Sequence, residues 1–267
     1  MPAAFFDSHC HLNLQAFRDD VDEVLARARA AGVMEMLVVG TEPADSIGAL
    51  ELAHRCPGVY AAIGIHPHDS SSADDSVYAR FAALATDEKV VAYGEIGLDF
   101  YRDHSPRPVQ RREFARQLNL AAELKLPIIV HDREAHQEVY DIIRAEKGYR
   151  HGGVIHCFSA DYEWAKKFVE LGFAISLPGT ITYPKSREQQ EIARRLSLSD
   201  LLIETDAPFL TPVPYRGKRN EPGYVPLVAA AIARAKNLPL DEVAAQTTAN
   251  CYRVFGLGAN IAKENYE

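Results

Sequence analysis

Eight short apolar runs, starting near Phe5, Met34, Val59, Val90, Pro127, Gly153, Phe173 and Leu201, alternate along the chain with segments that carry helical signals. Strand-like runs separated by helices predict a parallel sheet, because parallel neighbours need a long crossover connection. Asp19 and Asp20 open the first helical segment; Val21, Val24, Leu25 and Ala28 form its apolar stripe, and Gly32 stands where a left-handed C-cap is wanted. The clearest helix starts at Pro108 and carries Phe114, Leu118 and Ala121 on one face. Asp161 to Leu171 and Tyr224 to Lys236 follow the same plan, and a last helix from Asp241 to Phe255 ends at Gly256. Ser70-Ser71-Ser72 reads as a loop. Such a pattern fits either an open doubly wound sheet or a closed barrel. A dinucleotide-binding sheet would place a glycine-rich turn after the first strand, and this chain has Asp7-Ser8-His9-Cys10-His11 there. The expected fold is therefore α/β, a (β/α)₈ TIM barrel. No low-complexity linker or internal repeat interrupts it, and residues 1–267 read as one domain.

Charge and cysteine usage narrow the setting. The formal net charge is -8, whereas a protein that held duplex DNA by its general surface would be basic. Any nucleic-acid role must use a local positive site. No run approaches the roughly 18 apolar residues of a membrane helix, and the N-terminus lacks the basic and apolar regions of a secretory signal. The four cysteines, Cys10, Cys56, Cys157 and Cys251, are scattered without a C-x-x-C pair, which suits a reducing cytosol. A cytoplasmic protein without membrane association is expected. The oligomeric state has no signature.

Chemistry-bearing residues gather at the strand ends. His9 and His11 follow the first run, His66-Pro67-His68 the third, Gly94-Glu95-Ile96-Gly97-Leu98-Asp99 the fourth, His131 the fifth, His156 the sixth, and Glu204-Thr205-Asp206 the eighth. Barrel function resides at that face. One histidine there is usually structural, but six strand ends with histidines or carboxylates would each need a buried partner if they merely packed. His9 and His11, two apart on a strand, project to one side as a shared metal ion requires. His66 and His68 have the same spacing, which alone does not choose between the pairs. His9, His11, Glu95, His131, His156 and Asp206 are more ligands than one tetrahedral site uses, so two divalent ions are expected, with Glu95 able to bridge them through its two oxygens. Imidazole favours zinc, manganese, cobalt or nickel over pure magnesium, but availability decides, so zinc, manganese, magnesium, cobalt and nickel are not distinguished. Cys10 and Cys157 read as small buried residues. A water held by two such ions is acidified enough to attack phosphorus near neutral pH, and Asp206 beside it is the natural proton acceptor. Glu204, two residues away, faces the same side and either joins that proton transfer or orients a ligating histidine.

The loop after the eighth strand carries Arg216-Gly217-Lys218-Arg219, where barrels commonly hold phosphate. Glycine lets the backbone approach, and arginine grips phosphate with two hydrogen bonds. Arg133 and Arg102, just beyond the fifth and fourth strand ends, are further phosphate candidates, with Tyr101 and Phe158 near the rim as surfaces for a base. Arg107, Arg111, Arg112 and Arg116 read as a solvated helix face, and Trp164 as core or surface.

These stretches, together with Leu126-Pro127, His131-Asp132-Arg133, His156-Cys157-Phe158-Ser159, Leu202 through Pro208 and Arg216 through Pro222, resemble the TatD-type metal-dependent deoxyribonucleases of the amidohydrolase superfamily across nearly the whole chain. The resemblance favours His9 and His11 over the second pair. It implies one metal on His9, His11, Glu95 and Asp206 and another on Glu95, His131 and His156, with His66 and Glu204 near the substrate. It also implies hydrolysis of DNA phosphodiesters, trimming single strands from 3′ to 5′. The segment Ser176 to Pro184 departs from the family pattern at Pro178 and Pro184. The rival reading is a small-molecule amidohydrolase, a lactonase or cyclic-amide hydrolase, because fold does not fix chemistry.

Overall fold

The computed structural model describes residues 4–258. Eight parallel strands lie side by side in chain order: β1 (Phe5–Cys10), β2 (Val33–Val39), β3 (Val59–Ile63), β4 (Val90–Asp99), β5 (Ile128–Arg133), β6 (Gly153–Ile155), β7 (Phe173–Leu177) and β8 (Leu201–Ile203). The helices α1 (Val21–Ala30), α2 (Pro43–Arg55), α3 (Asp75–Leu84), α4 (Arg107–Leu124), α5 (His136–Ala145), α6 (Tyr162–Glu170) and α7 (Arg187–Arg195) carry the crossovers. Two more, α8 (Val225–Lys236) and α9 (Leu240–Val254), follow β8. The expected TIM barrel is thus the observed one. Among the described residues no helix is long and apolar enough to cross a membrane.

Period-two alternation divides the strand residues between two cores. Phe6, Leu37, Ala62, Ala92, Ile129, Val154, Ala174 and Leu202, one from each strand, cluster with Cys251 and Phe255 at the end of α9 and, among the described residues, with no other helix. They fill the barrel, and α9 plugs its N-terminal end. The alternate residues, such as Val38, Ile63, Val130, Ile155 and Ile203, pack outward on the helices. Each large side chain buried in this way contributes about 1.5–3 kcal/mol.

The ring closes differently from the rest of its circumference. Among the described residues, β1 meets the chain just beyond β8 through an isolated bridge at Cys10 and Ala207, with His11 N–H on Ala207 O at 2.8 Å and Asp206 N–H on His9 O at 2.9 Å. A buried carboxylate reinforces this seam: Asp7 accepts from Thr205 N–H at 2.9 Å and from its hydroxyl at 2.6 Å. β1 also slips in register between Asp7 and Cys10, which pair with Met36 and Val38, so one extra residue is accommodated just where the histidines begin.

Ser70-Ser71-Ser72, expected as a loop, closes a short 3₁₀ helix from Pro67 to Ser72. Pro67 sets the first turn, and Ser105 links it to the next loop by accepting from Ser71 N–H and donating to His68 O.

Candidate metal centre

The C-terminal ends of the strands open onto a cleft of about 660 Å³, within the size range of small-ligand sites. Glu95 lies at its floor, 3% exposed. Gly94 and Gly97 allow β4 to run this close to β5: a Cβ on Gly94 would lie 2.8 Å from Ile129 O, and one on Gly97, whose φ is 145°, 2.0 Å from His131 O. The two oxygens of Glu95 face two different groups. Oε2 lies 3.4 Å from His9 Nε2 and 3.7 Å from His11 Nε2. Oε1 lies 2.6 Å from His131 Nδ1, 2.8 Å from His156 Nε2 and 3.4 Å from His66 Nε2. Asp206 joins the first group, its Oδ1 3.4 Å from His11 Nε2 and 3.9 Å from His9 Nε2. All six expected ligands therefore meet in one place.

Hydrogen bonds around the group set which lone pairs face inward. His11 Nδ1 donates to Val39 O at 3.0 Å, which leaves Nε2 without a proton in the neutral ring. That nitrogen is 3.1 Å from His9 Nε2, and the buried His9 Nδ1 has no partner among the described residues. Two imidazole nitrogens and two carboxylate oxygens thus converge with too few protons among them, an arrangement that a divalent cation satisfies. The second H-x-H pair is disposed otherwise. His68 N–H donates to His66 Nδ1 at 3.1 Å, so the proton of neutral His66 sits on Nε2 and faces Glu95 as a donor. His68 Nε2 is turned to Asp99 at 2.9 Å.

Burial opposes ionisation of Glu95, yet His156 and His66 outweigh it and hold the carboxyl well below the ordinary range. Burial likewise works against Asp206, yet the imidazoles of His11 and His156 beside it hold it below the usual value. Burial lowers His66 to about 4 and, with His156, also lowers His9. The carboxylates are charged and these two imidazoles neutral, as ligation or hydrogen-bond donation requires.

Sequence reasoning passed over two residues. Asp99 is fully buried; Oδ1 accepts from Tyr101 and Arg102 N–H, while Oδ2 faces His68 and, at 3.1 Å, His131 Nε2. It fixes the ring of His131 from behind, as carboxylates commonly do for ligating histidines. Its signal was the four-residue spacing from Glu95, which puts both on one face of β4. Asp7 is the other, and its partner Thr205 is distant in sequence. Burial pushes Asp7 up to about 8 despite the hydrogen bonds from Thr205.

The remaining candidates separate. Glu204 is fully buried; Oε1 accepts from Cys157 N–H at 2.8 Å and lies 3.4 Å from His156 Nδ1. Arg133 and Arg102 line the cleft and lie over the exposed ring of Tyr101 at 4.1 and 5.4 Å. Phe158, expected at the rim, is 1% exposed and packs edge-on against Phe168 of α6, because the chain turns inward after Cys157. Cys10 is buried as expected, whereas Cys157 keeps partial exposure beside the cleft. Of the basic loop, Arg216 lies over Tyr183 and Lys218 over Tyr215. Arg219 is instead clamped by both oxygens of Asp20, at 2.8 and 2.6 Å, and by Ala16 O, tying the loop to the start of α1. On α4, Arg107, Arg111 and Arg116 form ion pairs on the surface, and the exposed Arg112 pairs with the buried Glu113.

The family model of TatD-related DNases matches residues 6–256. The chain is 41% identical over 250 residues to an uncharacterised metal-dependent hydrolase, YabD, of Bacillus subtilis (strain 168), covering 94% of this chain and 98% of that protein. It is 36% identical to the 3′-5′ ssDNA/RNA exonuclease TatD of Klebsiella pneumoniae (strain 342), over 96% of this chain and 99% of the relative. The crystal structure of YJJV, a TatD homologue from Escherichia coli K12, superposes with a TM-score of 0.90 at 34% identity, covering 96% of this chain and 99% of that one. By fold, by matched length and by identity, this chain belongs to the TatD-related DNase family of metal-dependent hydrolases.

Proposed function

We propose that this protein hydrolyses DNA phosphodiester bonds, removing nucleotides from the 3′ end of single strands with two divalent ions. The observation that carries this reading is the division of Glu95 between two groups, Oε2 toward His9 and His11 and Oε1 toward His131 and His156. His9, His11, Asp206 and Oε2 would hold one ion, and His131, His156 and Oε1 the other. When bound, such a pair of ions acidifies water and neutralises charge on a phosphoryl oxygen. The chain's own residues supply the rest. Asp206 borders the cleft and can accept the proton of the attacking water. His66, beside Oε1 of Glu95, lines the cleft and stands near the substrate phosphate. Arg133 and Arg102 stand where a neighbouring phosphate would lie, and Arg216 and Lys218 are disposed for phosphates farther along the strand. Glu204, buried behind His156, positions that ring. Arg219, spent on Asp20, holds the loop in place.

The relatives named as 3′-5′ ssDNA/RNA exonucleases support the polarity and the single-stranded preference. Shape supports the latter too: lowering an internal duplex phosphate into the barrel mouth would require bending or opening the duplex, at a cost of several kcal/mol. The test presents one sequence as a linear strand, a blunt duplex, a closed single-stranded circle and an RNA copy, beside a lactone and a cyclic amide, at fixed salt and metal. Stepwise mononucleotide loss from the linear strand, little from the circle and none from the small amides is expected. Rapid cutting of the circle would refute end-dependence. Turnover of only the lactone or cyclic amide would replace the nuclease reading with the small-molecule one.

A further inference from the structure

Two aromatic rings stand exposed at the cleft, in different surroundings. Tyr101, on the β4 side, is covered by Arg133 and Arg102. Phe209, on the β8 side, is 53% exposed, and among the described residues no cation lies over its ring. The His11 imidazole is the ring closest to it, with centroids 6.3 Å apart and planes 67° from parallel. A lone exposed phenylalanine needs no explanation on a convex surface. This one lines the cleft three residues after a metal-facing aspartate, on a backbone fixed from both ends. Its N–H donates to Asp206 O at 2.8 Å, and its carbonyl accepts from Asn220, a fully buried side chain, at 2.5 Å. The next residue, Leu210, holds a φ of 54°, a conformation leucine rarely adopts. Its carbonyl is seated over Gly179, where a Cβ would come within 2.2 Å. Backbone strain of this kind persists only where surrounding contacts impose it. Leu14 and Leu210 continue the apolar wall.

A rigid, flat, apolar wall beside a site for a phosphate fits a flat partner one sugar away from that phosphate. We infer that Phe209 is the platform on which the nucleobase stacks when its own phosphate occupies the metal centre, an assignment that rests on the phosphodiesterase reading above. Base-on-aromatic stacking tolerates every base, because each presents a π face. Phe209 would therefore give affinity for nucleotides without sequence preference.

The experiment compares the metal-loaded parent with Phe209→Ala and Phe209→Trp on three substrates: an oligonucleotide with a natural 3′-terminal base, the same strand with that base replaced by a tetrahydrofuran, and a small ester of two tetrahydrofuran residues joined by one phosphodiester, which carries no aromatic ring. Phe209→Ala should raise KM about tenfold on the natural strand and leave KM on the other two as in the parent. Phe209→Trp should restore it. Independently of turnover, a phosphorothioate-linked strand ending in 2-aminopurine should lose fluorescence on binding the parent and much less on binding Phe209→Ala. Equal kinetics of parent and Phe209→Ala on the natural strand would overturn the assignment. So would equal loss on all three substrates, which would make the ring a support of the metal centre. If the parent cleaves none of the three, the phosphodiesterase reading falls and the assignment with it; a parent that cleaves the small ester keeps the two failures distinct.

Discussion

Asp7→Ala should open the seam of the barrel. The carboxylate is fully buried and is the partner of two groups on Thr205, also fully buried. In the variant the Thr205 N–H loses its acceptor. The hydroxyl, which already accepts from Ala207 N–H at 3.2 Å, loses the acceptor for its own proton. The two Thr205 donors left without acceptors cost about 1–3 kcal/mol each, and the longer contact from His9 N–H to Asp7, 3.4 Å, is lost as well. Relief from burying the carboxylate offsets part of this, since burial already pushes Asp7 up to about 8. A net loss of about 3 kcal/mol follows, and for a domain of this length that lowers Tm by about 6–12 °C. Without Asp7, the backbone of the seam is held among the described residues by the Cys10–Ala207 bridge, with His11 N–H on Ala207 O and Asp206 N–H on His9 O. Asp206 should shift away from His9 and His11, and a displacement of about 1 Å at the reacting groups can cost on the order of a hundredfold in rate. Asp7→Asn keeps the shape and one acceptor oxygen, so it should melt within a few degrees of the parent. Thermal unfolding by circular dichroism, metal content and turnover on a small phosphodiester, measured on parent and both variants, check each step. A Tm for Asp7→Ala within 2 °C of the parent together with full activity would refute the role given to this carboxylate.

Glu95→Ala should reduce bound metal from two ions to one or none and abolish turnover, and chelation of the parent should do the same reversibly; full activity in the variant, read with metal content by mass spectrometry, would exclude the bridge. Arg216→Ala with Lys218→Ala should weaken oligonucleotide binding and reduce the slope of log affinity against log salt by about 1.4, since each single-strand phosphate contact contributes about 0.7, while Arg219→Ala should leave that slope unchanged and instead loosen the loop against α1. A last expectation concerns His136, whose ring Nδ1 lies 2.8 Å from Asp132. Burial lowers it, but the hydrogen bond to Asp132 prevails and the net shift is upward. A folded value above the unfolded one means stability fully present below about 6.5 and lost as pH rises through the folded value. His136→Gln should therefore cost more stability at pH 5.5 than at pH 9, by urea titration; an equal cost at both would show that the charge contributes nothing.

The order of strands and helices, and the gathering of histidines and carboxylates at one end, were legible in the residues themselves. Both depend on short-range rules: the period of apolar positions marks strands and helices, and a closed parallel barrel puts every strand's C-terminal end on one face. The carboxylate behind His131 was equally within reach, since Asp99 and Glu95 share a face of one strand. What only the tertiary structure decided depends on residues that meet across the closed ring. Asp7 reaches Thr205 across 198 positions, and Arg219 reaches Asp20 across 199. No local spacing announces such pairs, so an arginine that looked free for phosphate is spent on an aspartate, and an aspartate that looked incidental fastens the barrel. Phe158, expected at the rim, and Phe209, which carried no expectation, part ways for the same reason. Each follows a strand end by a few residues, and the turn of the backbone after Cys157 and after Asp206 sends one ring into the core and the other into the cleft. The sequence alone determined which chemistry gathers at the mouth of the barrel, because residue type and strand period are local; the tertiary structure decided which side chains remain free to use it, because burial and pairing depend on neighbours that only the closed ring brings together.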